Sequence, residues 1–105
     1  MGRVLEQLRG FGRIYEGDTP LGNARYEVTV YQRTYTVRTF GTRVVDGPKE
    51  VRGVIEPEAS LSIAELMNRG AELTLRMDDG RRWDFVFLDA RGIAANRSQA
   101  GLYAA

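Results

Sequence analysis

The residues with most to offer chemically lie between Tyr26 and Arg52. Tyr26, Tyr31, Arg33, Tyr35, Arg38, Phe40 and Arg43 interleave aromatic rings with guanidinium groups. Such a mixture can serve a single nucleic-acid strand, its rings stacking on bases and its cations neutralising phosphates. The candidate face for that chemistry is Arg33, Tyr35, Arg38, Arg43 and Arg52. The same pattern also describes an ordinary strand, in which half the aromatics fill a core while Arg and Thr face water. The basic surplus usual in nucleic-acid binders is missing, since 15 basic residues stand against 14 acidic ones.

Catalytic constellations are scarcer still. The 105-residue chain contains no Cys and no His, which removes thiolate nucleophiles, imidazole bases, disulfides and the commonest zinc ligands. Asp78, Asp79 and Asp84 have the hard oxygen ligands a cation needs, but their spacing fits no calcium loop, and turn chemistry accounts for the first two. Ser62 reads as a helix cap, Ser60 as part of the approach to it, and neither has a base nearby in sequence. Nothing places Glu56, Asp84 or Asp89 together as an acid and base pair. The expectation is a non-catalytic protein without metal or cofactor.

The elements that would position these residues are mostly strands. Tyr26 to Phe40 is rich in β-branched and aromatic residues and lacks a helical stripe. Fully extended it would span about 50 Å, against about 33 Å for a compact sphere of this length. It must therefore bend or reverse. Tyr26, Val28 and Val30 share one face, whereas Tyr35 and Val37 have switched parity, which favours a β-bulge between Tyr31 and Thr34 over a tight hairpin there.

Val44-Val45 and Val51 to Ile55 flank Asp46-Gly47-Pro48-Lys49, which reads as a hairpin loop. Gly53 in the returning strand suggests a close backbone approach, and Pro57 ends it. Ser62 and Glu65 match a capping box, Leu61 and Leu66 a hydrophobic staple, and Gly70 a stop, giving a helix of about two turns over 62–69. It is too short to stand alone and must pack on a sheet through Ile63, Leu66 and Met67.

Residues 71–77 and 81–88 form a second hairpin around Asp78-Asp79-Gly80. A three-residue loop pairs Leu75 with Trp83, Leu73 with Phe85 and Ala71 with Phe87, collecting one apolar face, and puts Gly80 at the left-handed position of a G1 bulge. Val86 and Leu88, on the opposite face, are expected to be covered as well. Phe11 to Glu16 can add a sixth strand, with 17–23 as a loop.

The expected organisation is an N-terminal arm over 1–10, a single β domain over 11–90 and a partly disordered tail over 91–105. Three strands, a helix and two strands resemble the order of the oligonucleotide/oligosaccharide-binding (OB) fold. The resemblance is one of topology without a diagnostic motif, and implies a ligand face around Val44 and Val51. The additional strand at 11–16 would suit an SH3-like or other small barrel instead. The fold class is thus all-β with one helix, a partly open antiparallel barrel of five or six strands.

Charge is segregated along the chain: 0 over 1–23, +3 over 24–53, −4 over 54–80 and +2 over 81–105. That polarity, with the absent catalytic chemistry, favours protein recognition or self-association. Single-stranded nucleic acid through the Arg and Tyr face is the first alternative, a small ligand at the barrel mouth the second. Charged residues throughout 1–20 leave no room for a signal peptide, and no apolar run spans a bilayer, as expected of a bacterial cytoplasmic protein.

Overall fold

A computed structural model describes the backbone of residues 2–38, 41, 43–97 and 102–104; the side chains at 2, 35, 37, 43–46, 48 and 102–104 lie outside what it describes. The chain is mostly antiparallel β with one short helix. Its elements are β1 (Gly2–Glu16), β2 (Thr19–Val37), β3 (Arg43–Pro57), α1 (Ile63–Asn68), β4 (Leu73–Met77), β5 (Arg81–Phe87), β6 (Ile93–Asn96) and β7 (Leu102–Ala104). In the sheet the order is β4-β1-β2-β3-β6-β5-β7, and β4 also pairs with β5, so the order returns on itself. No helix among the described residues is long and apolar enough to cross a membrane.

The β4–β5 hairpin follows from its apolar register. Leu73 pairs with Phe85 and Leu75 with Trp83, as face-matching requires, and Gly80 takes φ +90° at the turn. Ala71 does not extend that ladder to Phe87. Its amide instead bonds to the Leu66 carbonyl at 3.1 Å and closes the helix, with Gly70 at φ +62°. At the other helix end the Ser62 hydroxyl accepts from the Glu65 amide at 3.2 Å. Leu66 is buried in the core and Ile63 packs against it, while Met67 stays exposed.

Five expectations need correction. Asp46 to Lys49 is not a hairpin loop but lies inside β3. Gln32 pairs with Lys49 and Thr34 with Asp46, so the ladder bulges where the sequence predicts, with the extra residue on β3. Pro48 has no amide to donate, and the Gln32 side chain supplies the missing donor by bonding the Gly47 carbonyl. Residues 17–23 shrink to a turn at Gly17-Asp18, and Thr19 already pairs with Glu16. Residues 2–10 are strand, continuous with 11–16, because their ladder to β2 runs to Arg33.

Residues 93–96 are a strand rather than tail, flanked by β3 and β5. Finally, Val86 and Leu88 remain 41% and 53% exposed, since nothing described covers the outer face of β5. With 43–57 as one strand, the three strands before the helix are β1, β2 and β3, and residues 2–16 open the series instead of adding to it.

Packing explains β6. Ala94 is fully buried and pairs with Gly53 on one side and Phe87 on the other. A side chain on Gly53 would put its Cβ 2.5 Å from the Glu27 carbonyl oxygen, so the expected close approach is real. Along β5 the rings of Trp83, Phe85 and Phe87 follow one another at 5.0–5.5 Å between centroids, the first pair tilted and the second edge-on. Trp83 donates from Nε1 to Asn96 Oδ1 at 2.8 Å, tying β5 to β6.

The molecule is not a compact sphere. It measures 56 × 29 × 22 Å, with a radius of gyration of 15.6 Å, against about 13 Å for a compact chain of this length. The excess lies in β1, β2 and β3. On its far edge β1 pairs with β4 only from Gly12 onward, and β3 pairs with β6 only over Arg52–Val54. Residues 2–8, 29–37 and 43–51 thus form an arm, three strands wide and then two.

Candidate interface

Cross-strand partners share a face, so the register assembles the outer surface of β1, β2 and β3 row by row. Phe11, Arg25 and Glu56 form one row; Arg9, Glu27 and Val54 the next; then Gln7, Thr29 and Arg52, followed by Val4, Tyr31 and Glu50. Arg33 lies one step further out on β2. The inner face of the same strands carries Tyr26, Val28, Val30, Val51 and Ile55, all buried.

Of the five residues that sequence reasoning selects, two come together. Glu50 accepts from Arg33 Nε at 2.6 Å and from Arg52 Nε at 2.8 Å. The bond from Arg33, with the neighbouring charge of Arg52, holds its carboxyl below the usual range although partial burial opposes this. Arg38 is exposed just past the end of β2. The side chains of Tyr35 and Arg43 lie outside the described residues; their backbones pair with Val45 and Val37. Acids therefore interleave with cations on this face, and Arg9 is likewise bonded to Glu27 at 3.0 Å.

Two apolar surface features lie beside these charges. A β-bulge at Leu5 exposes the successive apolar residues Val4 and Leu5 on the arm. Further along the same surface, Phe11 is 66% exposed beside a groove of about 280 Å³ lined by Asn23, Ala24, Arg25, Glu56, Pro57 and Glu58 as well. The Arg25 guanidinium sits 5.8 Å from the Phe11 ring centre. Phe11 reads in sequence like any core strand residue; its register opposite Arg25 on β2, which pairs with Glu56, puts it on the outer face.

Several other polar groups are engaged structurally. Tyr26 donates to Asp78 Oδ1 at 2.7 Å, and burial together with that carboxylate pushes its hydroxyl well above the ordinary tyrosine range, away from use as a base or nucleophile. Asp79 bonds Arg81, which holds it low, and Asp84 accepts from Thr74 Oγ1 at 2.7 Å and pairs with Arg97. Among the described residues no three acidic side chains are grouped to hold a metal ion. Compared with known proteins, the chain matches no family model, no curated protein and no solved structure.

Proposed function

We propose that the chain is a non-catalytic module, its strands closing into a small barrel with OB-like element order, whose work is protein recognition or self-association through the projecting arm. One observation carries this reading. Long edges of β1 and β3 have no partner among the described strands, and beside the β1 edge the side chains of Val4 and Leu5 are exposed. Unpaired edges are templates for another strand, and small proteins otherwise keep them short or covered. The charges on the arm's outer face are largely ion-paired, which weighs against a phosphate-tracking surface. A groove of about 280 Å³ falls below the roughly 300–1,000 Å³ usual for small ligands.

The test is sedimentation of the full chain at rising concentration, with capture on the immobilised chain, beside a Val4→Lys/Leu5→Lys variant. Both positions are exposed, so folding should change by less than about 1 kcal/mol. Association that weakens in the variant supports the reading. A monomer that captures nothing, or binding indifferent to both changes, overturns it. Tight, salt-sensitive capture of a DNA or RNA strand, weakened by Arg38→Ala, would put the nucleic-acid alternative in its place.

A further inference from the structure

The described cations without a partner of any kind are segregated by position. Among the described residues Arg3 and Lys49 on the arm and Arg38 at its tip are exposed and unpartnered, whereas the other exposed cations outside an ion pair are engaged, Arg13 with Asn23, Arg25 with the Phe11 ring and Arg76 with the Tyr15 ring. Glu56 and Glu58 are exposed and equally unpaired, as are Asp18 at the β1–β2 turn and Glu65 on α1, and of these four the first two border the Phe11 groove. The intervening charges are matched, as in the Arg9–Glu27 and Arg33–Glu50–Arg52 groups. Arg25, the cation nearest the groove carboxylates, is drawn over the Phe11 ring.

We infer that the groove of Phe11, Pro57, Glu56 and Glu58 receives the basic arm of a second copy of this chain. The inference rests on the association reading above and names its partner and acceptor. Arg38 follows Arg25 by thirteen positions along β2, which at 3.3 Å per residue places the two about 40 Å apart. A strand cannot fold back over that distance onto itself, so the arm reaches these carboxylates only in another molecule. The chemistry matches on both sides: the groove offers an exposed ring and two carboxylates, the natural seat of a guanidinium or ammonium group. Copies of the chain, at a net charge of +1, repel each other little. Donor and acceptor are different patches, so the contact is heterologous unless two copies exchange arms reciprocally.

The experiment is sedimentation velocity on the full chain at low and high salt, with Arg38→Glu, Glu58→Lys and the combined variant, each checked for an unchanged melting transition. Arg38→Gln and Glu58→Gln guard against misfolding of the reversals. Wild type should associate, and less so in high salt. Each reversal should weaken association roughly tenfold or more. Mixing the two single variants, or joining both changes in one chain, should restore it.

Association that ignores Glu58→Lys and Glu58→Gln overturns the groove as acceptor while leaving recognition through the arm intact. A wild-type chain that stays monomeric throughout overturns the inference outright; recognition of a different protein is then decided by the capture experiment alone. Failure of the combined variant to recover what the single ones lose also overturns it.

Discussion

Tyr26 shows how one side chain can be fixed by three others. Its ring fills the row between Gly10 and Ile55, and its hydroxyl reaches Asp78 Oδ1 at 2.7 Å. The absence of a side chain at Gly10 makes room: a Cβ there would stand 2.5 Å from Asp78 Oδ2 and 2.9 Å from the Tyr26 hydroxyl. The tyrosine in turn covers the glycine, as aromatic residues often do beside small strand positions. Replacing Tyr26 by Phe should cost about 1 kcal/mol, the net worth of one such bond. Gly10→Ala should cost more in the wild-type chain than in Tyr26→Phe, because the hydroxyl it collides with is gone. Urea melts of the two single variants and the double variant measure this, and strictly additive costs would contradict the shared contact. The raised hydroxyl pKa also fixes a sign. The protonated form is the one favoured by folding, so its contribution is complete below about pH 10 and is lost as pH rises further. Wild type should therefore lose stability at high pH faster than Tyr26→Phe.

The bulge in the β2–β3 pair depends on Gln32, a buried polar side chain. Its amide donates to the carbonyls of Gly47 and Arg33 where Pro48 interrupts the ladder. Gln32→Leu should leave those carbonyls without that donor, at a cost of about 1–3 kcal/mol. Amide hydrogen exchange in residues 34–37 and 43–46 should accelerate while that of Trp83 and Phe85 does not. Equal acceleration throughout would mean that the arm and body open together. The bulge also marks how far the elements could be read in the sequence. The 73–77/81–87 hairpin was legible because apolar pairing tests its register, and the helix because Ser62 and Gly70 mark both ends. Asp46-Gly47-Pro48-Lys49 has the composition of a turn, yet Gln32, fourteen positions away, converts it to a bulge. No local pattern reports such a partner. Ile93-Ala94-Ala95-Asn96 fails for a different reason: alanine signals no strand, and the segment becomes one through the pairing of Ala94 with Gly53 and Phe87. For the candidate interface, sequence reasoning places Arg33 and Arg52 in one candidate face of five residues, but nothing local makes them neighbours. Their shared acid and the outward turn of Phe11 depend on register across three strands, which residue types do not specify.

At the scale of the whole molecule, the core and the tip of the arm are separable. No described side chain between 33 and 50 is buried, whereas Gln32 and Val51 on either side of that segment both are. The tip is a two-stranded ribbon, Thr34–Val37 paired with Arg43–Asp46, and an isolated ribbon of this kind is marginal in water. It belongs to the low-stability end of the molecule, where binding elements are commonly drawn from. The body buries Trp83, Phe85, Ile14, Ile55 and Leu75 without help from the tip. Replacing residues 34–46 by a two-residue turn should therefore leave a folded chain with the Trp83 environment unchanged. Its radius of gyration should fall from 15.6 Å towards about 13 Å, measured by small-angle scattering. The shortened chain should also lose association with wild type as the arm's donor, yet still accept a wild-type arm in its groove. Mixing it with wild type then caps assemblies at one end only. A chain that fails to fold without the tip would show that the arm is part of the core. One that folds and self-associates undiminished would show that the tip and its Arg38 are not the binding element and would leave association to the β1 edge at Val4 and Leu5.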